Sequence, residues 1–194
     1  KYGTLDKYYP DGDYVVVKFA RWAFEKFKGV SDHLGTQMRA VGEVMAIGKT
    51  YKEAFQKAIR SLEKNVYGLG FVKDYNEKTL DELLTLLNFA TPDRQFQMYE
   101  ALRKGATVEQ LHELTKIKAY FIEQMKELVD AEERIIAWSA EHPAQMLPAD
   151  ELASAKRDGF ADRYLAQLLH LPETQVREAR LDAGIKQAWE GVHV

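Results

Sequence analysis

The sequence predicts a mostly α-helical protein that carries a short α/β portion at its N-terminal end. Residues 1–68 contain two short apolar runs of strand character and one amphipathic helix. After residue 68 the alternating period is lost and almost every segment has helical periodicity. The change falls at the glycine-containing stretch 65–70, so we predict two domains, 1–68 and 69–194.

The N-terminal portion predicts two strands and a helix. Residues 14–19 are β-branched and aromatic and follow the turn residues 10–13, whereas residues 41–47 form a second apolar run ending at Gly48. Thr50 precedes Glu53 by three residues, which is the spacing of a capping box at the start of a helix.

Capping signals divide the remainder into helices. Thr79 and Thr107 each precede an acidic or amide residue at capping-box spacing, and Thr91-Pro92-Asp93 indicates a further helix with Thr91 as the N-cap and Pro92 as its first residue. Gly105 is predicted to end that helix. The other predicted helices are 118–140, 150 to Gly159, 162–170 and 173–183.

The helix predicted over 118–140 raises two expectations about its side chains. Tyr120, Phe121, Ile122 and Met125 exceed what one small core can bury, so we expect an apolar face through which copies of the chain self-associate. The pair Glu132-Glu133 is interpreted as part of the solvated face of the same helix.

Composition excludes several function classes. The 194 residues are 46% hydrophobic and 29% charged, the formal net charge is -3, and there is no Cys. Disulfides, thiolate metal sites and a Cys nucleophile are therefore excluded, and no global positive field favours nucleic acid or an anionic membrane. The start at Lys1-Tyr2-Gly3 is typical of neither an initiator Met nor a signal peptide, so we interpret the chain as a piece of a longer protein.

Several segments match one family in order along almost the whole chain. They are Asp13-Tyr14-Val15-Val16, Arg21-Trp22, Phe24-Glu25-Lys26-Phe27, Leu34-Gly35-Thr36-Gln37-Met38, residues 41–48, Gln56-Lys57-Ala58, Arg60-Ser61-Leu62-Glu63, Leu114-Thr115, Phe121, Ala155-Lys156 and Gly159-Phe160-Ala161-Asp162. Together they resemble the large chain of carbamoyl phosphate synthetase.

The resemblance implies a partial α/β piece from the C-terminal end of the carboxyphosphate-forming ATP-grasp unit, followed by an all-helical oligomerisation domain. The full enzyme would be a cytoplasmic ligase that makes carbamoyl phosphate from bicarbonate, glutamine-derived ammonia and two ATP, for pyrimidine and arginine synthesis. ATP and Mg or Mn would bind outside this chain, which would carry no catalytic, cofactor-binding or metal-binding residue and would be inactive alone.

The same resemblance implies partners and one pair of site residues. The partners would be the remaining domains of the large chain, the glutaminase small chain and further copies in a homo-oligomer, with no nucleic acid and no membrane. Met38 and Glu43 match positions that line an internal passage for carbamate. For Glu43, strand alternation leaves open an outward-facing position at the sheet edge.

The alternative function is a small all-α DNA-binding or adaptor protein. The predicted helices 162–170 and 173–183, joined across Pro172, have the pattern of a helix-turn-helix, with Arg177 and Arg180 on the second helix. Phosphate binding relies on positive charge, however, and acidic residues outnumber basic ones in this segment.

Overall fold

The computed structural model describes residues 14–22, 29, 35–36, 40–62 and 65–186. The elements in chain order are β1 (Val15–Trp22), β2 (Ala40–Gly48), α1 (Tyr51–Ser61), α2 (Lys73–Asn76), α3 (Leu80–Leu87), α4 (Arg94–Arg103), α5 (Val108–Thr115), α6 (Ala119–Glu141), α7 (Ala149–Arg157), α8 (Asp162–Leu169) and α9 (Glu173–Asp182). The mostly α fold and both strands are as predicted.

The two strands form an antiparallel pair whose register runs from Val15 opposite Gly48 to Ala20 opposite Glu43. An irregularity follows, and Trp22 then lies opposite Ala40. Helix α1 covers this pair, with the ring centroid of Phe55 at 5.4 Å from that of Phe19. The strands therefore reach the rest of the molecule through α1.

One hydrophobic core extends through α1 and the helices that follow it. The fully buried side chains include Ile59, Leu83, Leu111, Ile122, Leu128, Leu152, Leu165 and Leu169. Phe55, Ile59 and Leu62 of α1 belong to the same buried cluster as the later helices. The proposed division at residue 68 is thus crossed by continuous apolar packing, and the division itself stays a prediction.

Helix ends largely follow the predicted capping chemistry. Thr79 and Thr107 both form reciprocal capping boxes. Thr50 accepts from the Glu53 amide, but Glu53 Oε2 accepts from the Lys49 amide, one residue before the cap. Gly105 and Gly159 both follow their helices at positive φ, where a residue without Cβ is favoured.

The structure corrects the predicted start of α4 and divides the apolar residues at the start of α6 between core and surface. Helix α4 begins at Arg94 with Asp93 as its N-cap, rather than at Pro92 after Thr91. The Asp93 carboxylate accepts a hydrogen bond from the Tyr75 hydroxyl at 3.2 Å, a tertiary contact that local spacing does not reveal. In α6, Ile122 and Met125 are buried whereas Tyr120 and Phe121 are exposed, so the four residues do not all face the core, as expected.

The glycines at 105 and 159 form a natural pair for comparison. Both have positive φ, but a Cβ on Gly105 would meet open space, whereas one on Gly159 would lie 2.9 Å from Glu53 Cα. We expect Gly105→Ala to lower the free energy of unfolding by ~1–2 kcal/mol, the cost of the left-handed backbone alone. Gly159→Ala should cost a further ~1–3 kcal/mol, because α1 must move away from the new methyl group. Urea unfolding of both variants measures the difference, and equal losses would contradict the close approach.

Candidate functional site

The two residues expected to line a passage have different outcomes. Met38 lies outside the described residues. Glu43 lies on β2 with its side chain 59% exposed, and its carboxylate is 2.6 Å from Lys18 Nζ. Lys18 lies opposite Met45 in the register, so Lys18 and Glu43 are diagonal neighbours on one face of the strand pair. An exposed pair of this kind contributes little to stability, about 0–1 kcal/mol.

Glu132 of α6 is the most unusual side chain in the described part of the chain. It is 0% exposed, so the expectation of a solvated Glu132-Glu133 face is wrong for Glu132, while the Glu133 side chain is 49% exposed. Burying a carboxylate is costly unless its oxygens are hydrogen-bonded or paired with a cation. Two other helices, α4 and α8, meet that requirement for Glu132.

Two tyrosines donate hydrogen bonds to Glu132. The Tyr99 hydroxyl from α4 donates to Oε2, and the Tyr164 hydroxyl from α8 donates to Oε1 at 2.7 Å. Burial raises the pKa of Glu132 above its usual value, although the two hydroxyl donors oppose that change. Burial and the neighbouring carboxylate also raise the pKa of both tyrosines, which therefore stay protonated as donors.

Arg103 of α4 supplies the nearby positive charge. Its Nη1 is 3.7 Å from Glu132 Oε1, and its Nε is 3.0 Å from Glu133 Oε1. Burial opposes the charged form, yet the carboxylates of Glu132, Glu100 and Glu133 raise the Arg103 pKa overall. Arg103 Nη1 is itself buried without a hydrogen-bond partner, so its interaction with Glu132 is electrostatic rather than a hydrogen bond.

The segment 65–72, here called the connector, passes directly over these groups. The Gly70 amide donates to the Tyr164 hydroxyl at 3.0 Å. A Cβ on Gly68 would lie 2.6 Å from the Tyr164 ring, and one on Gly70 would lie 2.6 Å from Glu132 Oε1. Phe71 follows with φ of 59° and lies 5.4 Å from the Arg103 guanidinium. Glycine is thus needed twice for close approach.

We call Tyr99, Arg103, Glu132, Tyr164 and Gly70 the Glu132 cluster. Sequence reasoning missed it because Glu132 stands beside Glu133, which suggested a charged surface. One signal was present: Glu132 follows Leu128 by four residues and precedes Ile135 by three, which places it on the apolar face of α6. The cluster surrounds a fully buried carboxylate with two hydroxyl donors and a nearby cation, so it is suited to fixing the connector rather than to binding a substrate.

Other surfaces offer fewer constraints. Tyr120 is 53% exposed and Phe121 is 39% exposed, and both rings pack near Tyr51, at centroid distances of 6.1 and 5.2 Å. A shallow groove lies between α3 and α5, lined by Asp81, Leu84, Thr85, Asn88, Gln110, Glu113 and Leu114. Within the described residues, His, Cys, Asp and Glu form no group of three or more able to hold a metal ion. In the same residues, none of the helices is sufficiently long and apolar to span a bilayer.

Helices α8 and α9 do form a short helical pair, but its chemistry differs from that of a DNA-reading module. Arg180 is only 8% exposed, and its Nε is bound to Asp162 Oδ2 at 3.0 Å. Val176 of the same helix is fully buried. One of the two arginines expected to reach phosphate or bases is therefore used to hold α9 against α8, which argues against the DNA-binding alternative.

The Glu132 cluster predicts a pH-dependent stability. Glu132→Ala should cost ~3–5 kcal/mol, because Tyr99, Tyr164 and Arg103 would lose their buried partner. Glu132→Gln should cost less, since the amide retains an acceptor. Because the pKa of Glu132 is raised in the folded state, the free energy of unfolding of wild type should exceed that of Glu132→Gln by the largest amount at a pH below the ordinary glutamate pKa. That advantage should shrink as pH rises through the raised pKa.

Urea unfolding of wild type and Glu132→Gln across the acidic range measures this trend. Tyr99, Tyr164, Arg103 and Glu133 all act on the Glu132 carboxyl, so the matched control is Glu123→Gln, which changes an exposed carboxylate elsewhere on α6. A stability difference between wild type and Glu132→Gln that does not vary with pH would contradict the assigned burial of the charge.

The sequence comparisons agree with one another. Residues 43–184 match the family described as carbamoyl-phosphate synthetase large chain, oligomerisation domain. The chain is 41% identical over 189 residues to the carbamoyl phosphate synthase large chain of Archaeoglobus fulgidus, covering 97% of this chain and 18% of that protein. It is 44% identical over 178 residues to the large chain of Deinococcus deserti, covering 91% and 16% respectively.

A third relative is named as a section of the large chain. The N-terminal section from Methanopyrus kandleri is 40% identical over 195 residues, covering 96% of this chain and 35% of the relative. The chain therefore spans between 16% and 35% of the length of these three relatives. Both the matched domain and the relatives lead to one conclusion: the chain belongs to the carbamoyl phosphate synthetase large chain family and contains its oligomerisation domain.

Proposed function

We propose that this chain acts as a structural connector and oligomerisation element within a carbamoyl phosphate synthase large chain. The observation that carries the proposal is the continuity of its core. Phe55 and Ile59 of α1 are buried with the helical bundle, and the connector is bound to Tyr164 through Gly70. Apolar packing across a junction opposes the relative motion that is otherwise expected between linked units.

The activity of the whole enzyme enters the same proposal. The full protein is a cytoplasmic ligase that uses bicarbonate, glutamine-derived ammonia and two ATP, with a glutaminase small chain as its partner and with pyrimidine and arginine synthesis as its role. ATP and its Mg or Mn bind in other parts of the large chain. The names of the relatives support the ligase, and the buried, hydrogen-bonded state of the Glu132 cluster supports a non-catalytic role for that part of this chain.

The passage role of Glu43 and Met38 also belongs to the proposal. Glu43 is well exposed, and among the residues that the structure describes its carboxylate pairs with the equally exposed Lys18. A hydrated carboxylate is compatible with a polar passage wall, because it keeps its solvation without a buried partner. In the assembled enzyme, Glu43 then lines the route that carbamate follows.

Self-association tests the oligomerisation element. The aromatic patch formed by Tyr51, Tyr120 and Phe121 is the proposed contact, since it exposes large rings at the start of α6. Wild type should show a concentration-dependent increase in mass by sedimentation equilibrium. Tyr120→Glu should weaken association by about tenfold or more, because a charge would be desolvated in the contact.

The matched control for this experiment is Leu181→Glu, which places the same charge at another exposed apolar residue, 48% exposed on α9. It should associate as wild type does. A strictly monomeric wild type at high concentration would overturn the oligomerisation role, and equal weakening by both variants would remove the contact from the aromatic patch.

A second prediction concerns Glu43 in the full enzyme. Because the Lys18 pair is exposed, Glu43→Ala should change the free energy of unfolding of this chain by less than about 1 kcal/mol. In the full enzyme it should lower carbamoyl phosphate synthesis while partial, bicarbonate-dependent ATP hydrolysis persists. Lys18→Ala breaks the same pair and should leave synthesis near normal. Normal synthesis in Glu43→Ala, or a large loss of stability, would end the passage assignment.

A further inference from the structure

Helix α1 is contacted at one turn by glycines from two different parts of the molecule. A Cβ on Gly48, the last residue of β2, would lie 2.8 Å from the amide nitrogen of Ala54. A Cβ on Gly159, which follows α7, would lie 2.9 Å from Glu53 Cα. Ala54 is 0% exposed as a result. Strand pair and bundle therefore both bring their backbone directly against Glu53 and Ala54.

Polar contacts fasten α1 to the end of α7. Gln56 Nε2 donates to the Asp158 carbonyl at 2.8 Å, and Arg60 Nη1 donates to the Gly159 carbonyl at 2.7 Å. Carbonyls at a helix C-terminus lack intrahelical donors and carry partial negative charge. The Gln56 amide satisfies the carbonyl of the C-cap residue of α7, and the Arg60 guanidinium binds the carbonyl of the residue that follows it.

Lys52 extends the attachment to α6. Its Nζ is 2.9 Å from Asp158 Oδ1 and 2.9 Å from Glu127 Oε2. The Lys52 and Asp158 side chains are 18% and 22% exposed, so the pair that they form is better shielded than a surface ion pair. Three residues of α1 in successive turns thus hold the bundle.

The opposite attachment, to the strand pair, is equally direct. Lys57 Nζ donates to the Ile47 carbonyl at 3.1 Å, and Phe55 packs on Phe19. Only residues 49 and 50 separate β2 from α1, and both interact with Glu53. The Lys49 amide donates to Glu53 Oε2 at 2.8 Å, and the Glu53 amide donates to Thr50 Oγ1 at 3.2 Å. A hinge is expected where contacts are few, which does not describe this junction.

We propose that α1 is a rigid joint that keeps the strand pair in one orientation relative to the bundle. Gly48 and Gly159 allow the backbone on each side to approach the helix closely, and hydrogen bonds from Gln56 and Arg60 hold the helix to the end of α7. A displacement of either part is then transmitted to the other instead of being absorbed by bending between them. The joint deepens the proposed connector function and rests on it for its role in the enzyme, while its rigidity is a property of this chain.

A distance measurement between the two parts tests the joint. The chain has no Cys, so Met45→Cys on β2 and Gln167→Cys on α8, both exposed, place two spin labels without background. Labelled chain is diluted into unlabelled chain, so contacts between copies do not contribute. Wild type should give a single narrow distance distribution by pulsed electron paramagnetic resonance.

Two variants in the labelled chain then separate a joint from simple packing. Gln56→Ala combined with Arg60→Ala should broaden the spin–spin distance distribution about twofold while helix content by circular dichroism is retained, because only the hydrogen bonds between α1 and the end of α7 are removed. Arg157→Ala, which removes an exposed cation from the end of α7, is the matched control and should leave the width unchanged. A broad or bimodal wild-type distribution, or an unchanged width in the double variant, would overturn the joint.

If the double variant loses its helix content, the single variant Arg60→Ala tests the joint through the hydrogen-exchange rates of its backbone amides. Amides of α1 should exchange about tenfold faster or more, as expected for loss of a charged hydrogen bond, while those of α3 to α5 are unchanged. Uniform acceleration along the chain would show that Arg60 acts on global stability and would overturn the assignment. Failure of self-association would leave both readouts unaffected, so the joint and the oligomerisation role fail separately.

Discussion

The buried carboxylate of Glu132 imposes a constraint on four segments of the chain at once. A carboxylate removed from water requires hydrogen-bond donors or a cation, and α6 alone provides neither at this position. Tyr99 brings α4, Tyr164 brings α8, and Arg103 adds charge at 3.7 Å. The connector completes the arrangement because the Tyr164 hydroxyl, after donating to Glu132, still accepts from Gly70. Helices α4, α6 and α8 thereby share one polar centre inside an apolar core.

Close backbone approach is the second organising feature, and it depends on glycines at positions where a Cβ would clash with a neighbouring segment. Gly68 and Gly70 let the connector reach the Tyr164 ring and hydroxyl, while Gly48 and Gly159 let the strand pair and α7 reach α1. Gly105 has the same left-handed conformation as Gly159 but open space around it. At the end of α4, Gly105 is therefore favoured only for its left-handed backbone conformation. At the end of α7, Gly159 is favoured both for that conformation and for the close approach of α1.

These two features explain why a chain from this family can hold an α/β part and a helical part together. The match to the oligomerisation domain begins at residue 43, inside β2, and continues through α9. The structure shows the same continuity physically, since α1 shares its core with the later helices. The helical unit is thus built around contacts that reach back to the strands.

The local sequence determined those features whose physical cause lies within a few residues. Capping boxes at Thr79 and Thr107, the two strands, the long helix α6 and the glycine ends at Gly105 and Gly159 were all predictable, because each depends on hydrogen bonds or backbone preferences along one short segment. Family membership was also readable from the ordered matching segments.

Tertiary structure alone decided the rest. Glu132 and Glu133 are identical residues side by side, yet Glu132 is fully buried and Glu133 is exposed. The hydroxyl groups that donate to the buried Glu132 carboxylate come from α4 and α8, about 30 residues away on either side. Asp93 rather than Thr91 occupies the N-cap position of α4, and its carboxylate accepts a hydrogen bond from Tyr75 of α2. Ile122 and Met125 are buried, whereas the neighbouring Tyr120 and Phe121 are exposed. The partners of Glu132 and of Asp93 are distant in sequence, and proximity between distant residues is set by how the helices pack rather than by the order of the residues around each one.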